Sequence, residues 1–185
     1  MSIGLEDDNS DIDRALEAAI NPNKDELRGR IVLAAAANGG GNDRCAFPAR
    51  RTGVIAIHAT DKKGNRAEFN PDPEGDSNFA TLGVDIYSKW DGYRVSASGT
   101  SYATPIAAGI AANILEFARH NLQLTKKDKD WLYSARGMRM VLSRLSNLRP
   151  DGYRYIRFWR KQDGNRVDEE YLCELLRKAI DADRV

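Results

Sequence analysis

Two uninterrupted apolar runs, IVLAAAA at 31–37 and VIAIHAT at 54–60, constrain this chain more than any other feature. Each is too short for a helix of ordinary length and lacks the polar alternation of a strand with one wet face. Such runs are strands buried on both faces, the mark of a parallel sheet covered by helices. The flanking segments supply the helices. SDIDRALEAAI at 10–20 repeats Ile12, Ala15, Leu16, Ala19 and Ile20 at helical spacing, with Ser10 as N-cap and Asp13 three residues on. TSYATPIAAGIAANILEFARH combines a proline in its first turn with a small-residue face of Ala103, Ala107, Ala108, Ala111 and Ala112. A helix with that face can approach a sheet closely, which suits a central buried place. Between Glu68 and Gly92 turn formers dominate, with one short strand expected at Leu82 to Tyr87.

Beyond Leu122 the composition becomes charged and aromatic. Leu132, Ala135, Met138, Leu142 and Leu145 share one face of a helix, and Tyr153 to Lys161 reads as an alternating strand turned back by a hairpin at Asp163 and Gly164. A last helix, DEEYLCELLRKAI, buries Leu172, Leu175, Leu176, Ala179 and Ile180. Residues 1–122 are therefore expected to form one unit and 123–185 a smaller extension of helices and a hairpin. The 185 residues suffice for a single domain with a real core.

Charge selects no partner. With 28 basic and 27 acidic residues the formal net charge is +1, without the basic excess of a nucleic-acid binder. No stretch approaches the roughly 20 apolar residues of a membrane span, and the acidic opening MSIGLEDDNSD is unlike a signal peptide, so an intracellular protein with no membrane partner is expected. Cys45 and Cys173 form no CxxC pair and are expected to be free thiols. Gly39, Gly40 and Gly41 lack the lysine and hydroxyl residue of a phosphate loop, and Asp7, Asn9 and Asp11 open like a calcium loop but meet Ile12 and Ala18 where glycine and glutamate belong. No metal site and no cofactor are expected.

The chemistry lies in Gly99-Thr100-Ser101-Tyr102-Ala103-Thr104-Pro105, followed by Ala107-Ala108-Gly109. A serine at a helix start meets unpaired backbone N–H groups and the positive end of the helix dipole, which favour an oxyanion. A serine there can also serve merely as a cap. This segment resembles the nucleophile segment of the subtilisin-like serine proteases, GTSxA[ST]P with small residues behind it. The resemblance extends in order and distance to IVLAAAAN, whose Asn38 matches the family's oxyanion-hole asparagine, and to Met1-Ser2-Ile3-Gly4, similar to the strand on which subtilases bind the substrate backbone. It further includes FPARRTGVIAIHATD and NFATLGVDI, and runs from about Met1 to Leu122.

What the resemblance implies is a three-layer α/β fold with a mainly parallel sheet, and serine endopeptidase chemistry on peptide or protein substrates. Ser101 would be the nucleophile and Asn38 the oxyanion donor, with Ser2, Gly4, Ala35 and Ala37 lining the substrate site. Ala37 stands where many subtilases have glycine, which would narrow the specificity pocket. Asn38 separates the chain from the acid-protease relatives, which place an aspartate there. The family's DTG-type aspartate and HGT-type histidine would precede Met1, so the chain is expected to hold the C-terminal part of the catalytic domain and to be inactive by itself. His58 lies inside an apolar run and His120 at the far end of the nucleophile helix, and neither is placed to serve Ser101. The expected loss of half the sheet also predicts exposed apolar surface and poor solubility. The alternative is a noncatalytic binding or regulatory module on a subtilase scaffold, with the stretch from Lys126 as its interaction surface.

Overall fold

The computed structural model describes residues 1–21, 29–75, 77–158 and 165–182. In chain order the elements are α1 (Ser10–Ile20), β1 (Val32–Ala35), β2 (Val54–Thr60), β3 (Phe79–Leu82), β4 (Ile86–Trp90), β5 (Tyr93–Ala97), α2 (Thr100–Asn121), α3 (Lys126–Leu132), α4 (Ala135–Arg144), β6 (Ser146–Leu148), β7 (Arg154–Ile156) and α5 (Glu169–Ala182). Among the described residues the main sheet has five strands in the order β1-β2-β3-β7-β6, all parallel except the β6–β7 pair. The fold is α/β with a mostly parallel sheet, as the two apolar runs require.

Strand parity divides the core. Leu33, Ile55, Ile57, Ala59 and Phe79 point to one face and join Ala103, Ala107, Ile110, Ala111 and Ile114 of α2 with the buried sides of α3, α4 and α5. Ala34, Ala36, Val54 and Ala56 point to the other face, where Ile20 of α1, Cys45 and Ala49 cover them. Each fully buried leucine or isoleucine here contributes about 1.5–3 kcal/mol of transfer free energy. Leu172, Leu175, Leu176, Ala179 and Ile180 of α5 are buried, as their spacing predicted, and they belong to the same cluster as α2.

Several local expectations are corrected. The N-cap of α1 is Asn9, not Ser10: its Oδ1 accepts the N–H groups of Asp11 and Ile12 at 3.1 and 3.0 Å. The strand expected at Leu82 to Tyr87 is instead the junction between β3 and β4, with β4 and β5 forming a separate antiparallel hairpin. The single helix over Leu132 to Leu145 is broken into α3 and α4, because Ser134 starts a new helix by accepting the Gly137 N–H at 3.0 Å. On α2 Ala103, Ala107 and Ala111 are buried, Ala108 is half-buried and Ala112 exposed, so the helix lies on the sheet with one wet face. The alternating strand is realised as β7, paired to β6 through a turn at 149–153; the hairpin expected at Asp163 and Gly164 lies outside the described residues.

Gly83 permits the closest approach between sheet and helix. A methyl on it would stand 2.7 Å from Ala59 Cβ, 2.9 Å from Gly99 O and 3.0 Å from Ala103 Cβ, and its own carbonyl accepts the Gly99 N–H at 2.8 Å. That contact sets the first turn of α2 against the end of β3. The carboxyl ends of the parallel strands and the N-terminus of α2 thus meet at one edge, the usual place for a ligand in sheets of this kind.

Candidate active site

Ser101 is the second residue of α2, where its N–H has no carbonyl within the helix to reach. Its side chain is half-buried, and its Oγ donates to the Ser2 carbonyl at 3.1 Å while the Ser2 Oγ donates back to the Ser101 carbonyl at 3.1 Å. Pro105 explains why that carbonyl is free. Lacking an N–H, it cannot make the helical bond to the residue four positions before it, and the Ser2 hydroxyl takes the vacant acceptor. The proline lies in the second turn of α2 rather than the expected first turn, and this placement is what couples Ser2 to Ser101.

Asn38 follows β1 and faces the same helix start. Its Oδ1 accepts the Thr100 N–H at 2.8 Å and the Thr100 Oγ1 at 3.1 Å, and that hydroxyl also reaches the Ala37 carbonyl at 3.2 Å. A backbone N–H can only donate, so the amide oxygen is fixed inward and the Nδ2 hydrogens are turned away from Thr100. Thr100 is itself fully buried, which makes this a rigid clamp. Its role escaped the sequence reading; the signal was a buried-type position between the glycine and the serine, filled by a residue with a hydroxyl.

The remaining candidates lie around this pair. Met1 attaches to the outer edge of β1, its amine donating to Leu33 O and its carbonyl accepting Ala35 N–H at 3.0 Å. Desolvation lowers the pKa of that amine below its ordinary value. Ser2 touches Ser101 directly, Gly4 is exposed, Ala35 is buried and Ala37 half-buried beside Asn38. Leu5 and Phe47 then pair as an antiparallel bridge, with N···O distances of 2.8 and 3.0 Å. Arg50 secures this junction by donating to the Glu6 carbonyl at 2.8 Å and to Asp8 Oδ1 at 2.6 Å. Large exposed apolar side chains gather here as well: Met1, Ile3, Leu5 and Tyr102.

Neither histidine approaches the serine. His58 has the parity of Val54 and Ala56, so it points to the face of the sheet opposite α2, where it is fully buried edge-on to Tyr153 with 5.0 Å between ring centroids. Among the described residues neither of its ring nitrogens has a hydrogen-bond partner, and burial lowers its pKa to about 4. His120 is exposed near the end of α2, bonded to Glu116 at 2.9 Å. The glycine loop after Asn38 faces Asp43 and Asp72, whose carboxylates would repel a phosphate. Among the described residues no group of three potential ligands could hold a metal ion, and no helix is long and apolar enough to cross a membrane.

Comparisons with known proteins identify the family and the fold. The model of the subtilase family matches residues 1–153. The thermostable alkaline protease of Halalkalibacterium halodurans is 39% identical over 114 residues, which cover 60% of this chain and 29% of that protein. Subtilisin Savinase of Lederbergia lenta is 34% identical over 113 residues, 60% of this chain and 39% of the relative. Among solved structures, the self-cleaved protease domain of PatA superposes with a TM-score of 0.64 at 23% identity, covering 96% of this chain and 61% of that one. The prenylagaramide maturation protease PagA gives 0.61 at 19% identity, covering 98% and 58%; these two similarities speak to the fold alone. The fold is the mostly parallel α/β sheet of these solved structures, and the matched family model and curated relatives are those of serine proteases. The chain belongs to the subtilase family, whose members are serine endopeptidases, and spans 29% and 39% of the two curated relatives named here.

Proposed function

We propose that this chain supplies the nucleophile and the oxyanion hole of a serine endopeptidase, acting on peptide or protein substrates. The observation that carries the reading is the clamp on Asn38. With Oδ1 held by Thr100, the amide N–H groups are preorganised to donate to an oxygen that develops charge beside Ser101. In the reaction Ser101 Oγ bonds to the scissile carbonyl carbon and its proton passes to a general base. The oxyanion takes hydrogen bonds from Asn38 Nδ2 and the Ser101 N–H, and the C–N bond then breaks as the base protonates the leaving amine. Water later hydrolyses the acyl-enzyme. Removing an asparagine donor of this kind costs about 10²–10³ in turnover, a figure taken from subtilisin, itself a member of this family.

The base and its orienting carboxylate have to come from polypeptide other than the two histidines present here. In subtilisin the loss of the histidine costs about 10⁶ in turnover, so the chain alone is expected to be nearly inert towards peptides. One observation favours the second reading, a noncatalytic module: the Ser101 hydroxyl donates to the Ser2 carbonyl, not to an imidazole. Labelling by a fluorophosphonate separates the two. The chain, its Ser101→Ala variant and a form complemented with a subtilase segment carrying histidine and aspartate would be compared by intact mass. Label on Ser101 that rises sharply on complementation supports the endopeptidase, whereas no Ser101-dependent label in any sample supports the binding module.

A further inference from the structure

We infer that α4 and α5 together form a binding site for a carboxylate group, seated on Arg144 and independent of the chemistry at Ser101. Tyr171, Glu174, Leu175 and Lys178 recur at i, i+3, i+4 and i+7, so they lie along one stripe of α5. Arg144, the last residue of α4, joins these four in lining a cavity of about 240 Å³. The subtilase model matches residues 1–153 and α5 begins at Glu169, so four of the five lining residues lie outside that match.

The arginine marks the cavity as a site. Arg144 is half-buried, and its Nε is shut off from solvent with no hydrogen-bond partner among the described residues. A guanidinium keeps its proton at any ordinary pH, so the cost of the unpaired N–H is not relieved by neutralisation, as it can be for a buried lysine or histidine. The Glu174 carboxylate is held by Lys178 Nζ at 2.6 Å. Two cations and one anion thus line the cavity and leave one positive charge uncompensated. A single carboxylate balances that charge, whereas a phosphate dianion would exceed it and be repelled by Glu174. A planar carboxylate also matches the arginine fork, in which Nε and one Nη donate in parallel. The buried Leu175 and half-buried Tyr171 give an apolar wall for the carbon chain that carries the acid. The volume lies below the roughly 300–1,000 Å³ of pockets for drug-sized ligands, so the site takes an acidic side chain or a short carboxylic acid.

Chemical-shift titration of the isotopically labelled chain tests this with propionate as a free acid, acetyl-Ala-Glu-Ala-amide as a chain-borne carboxylate, its glutamine counterpart, and inorganic phosphate. Propionate and the glutamate peptide are expected to give saturable shifts at the Arg144 Nε–H and at the Tyr171 and Leu175 amides. The tighter of the two identifies the source, a free acid or an acidic polypeptide segment. Arg144→Gln is expected to abolish these shifts. Arg144→Lys, which keeps the charge but loses the fork, should weaken binding about fivefold. Glu174→Gln removes the competing negative charge and should tighten propionate about twofold, and this variant serves where the arginine replacements unfold. The inference is overturned by a lack of saturable shifts with both carboxylates, by an equal response to the glutamine peptide, or by tighter binding of phosphate. Binding retained in Arg144→Gln, or an affinity unchanged in Glu174→Gln, overturns it as well.

Discussion

Replacing His58 by leucine is expected to abolish one specific component of the protein's acid sensitivity. The imidazole is fully buried in β2, touches the Tyr153 ring and, among the described residues, has no hydrogen-bond partner on either nitrogen. Burial holds its pKa at about 4, against an ordinary histidine value of 6.5. The unfolded chain therefore binds a proton between pH 6.5 and 4 that the folded chain refuses. Stability contributed by the neutral ring is complete above pH 6.5 and declines as the pH falls towards 4. The gap of about 2.5 pH units corresponds to about 3 kcal/mol, a large part of the 5–15 kcal/mol typical of a domain. Urea denaturation followed by tryptophan fluorescence at half-unit steps from pH 7.5 to 4.5 measures it. The unaltered protein should lose stability at up to about 1.4 kcal/mol per pH unit more than His58→Leu over this window. The variant should be at least as stable at pH 7, since no hydrogen bond is lost with the ring. Parallel pH profiles for the two proteins would refute the assignment of a buried, unpartnered neutral histidine.

Other perturbations test the packing and the clamp. Gly83→Ala forces a methyl into contacts of 2.7–3.0 Å with Ala59, Gly99 O and Ala103, and should cost about 1–3 kcal/mol, read as a lowered Tm; an unchanged Tm would contradict the close approach. Thr100→Val keeps the shape and the backbone N–H but removes the hydroxyl bonded to Asn38 and Ala37, so fluorophosphonate labelling of the complemented chain should fall several-fold while the variant stays folded. Tyr153→Phe removes the donor to the Pro71 carbonyl and should cost about 1–3 kcal/mol in urea denaturation, the penalty of a buried acceptor left unpaired. Alkylation at pH 8 should reach the half-exposed Cys173 well before Cys45, whose thiol is buried and pushed up to about 11 chiefly by desolvation; equal rates by peptide mapping would argue against that burial.

Several misread elements did leave local signals. Asp91-Gly92, both at positive φ between β4 and β5, is the dipeptide that favours a tight hairpin turn, yet it sits in a stretch rich enough in turn formers to pass for loop. Thr125 with Asp128 forms a capping box, and Ser134 caps the next helix, so two starts were written where one helix was expected. The α2 alanines gave the buried side correctly at Ala103, Ala107 and Ala111, but small residues carry no strong polar preference, and Ala112 faces water at no great cost. The contact of Gly4 with Ala46 left no signal, since it joins residues far apart in the chain.

What the sequence determined by itself is what depends on neighbours along the chain: the two buried strands, the helix faces, and a serine and an asparagine at the ends of elements whose type their own flanks dictate. A run such as VIAIHAT has to be buried wherever it goes, and GTSYATP has to begin a helix. What only the tertiary structure decided is the geometry between those elements. Thr100 selects which end of the Asn38 amide faces outward, Pro105 frees the carbonyl that Ser2 takes, and strand parity sends His58 to the face away from Ser101. These depend on the distance and angle between segments that meet only when the chain has packed, and hydrogen bonds and hard-core contacts change sharply over a few tenths of an ångström.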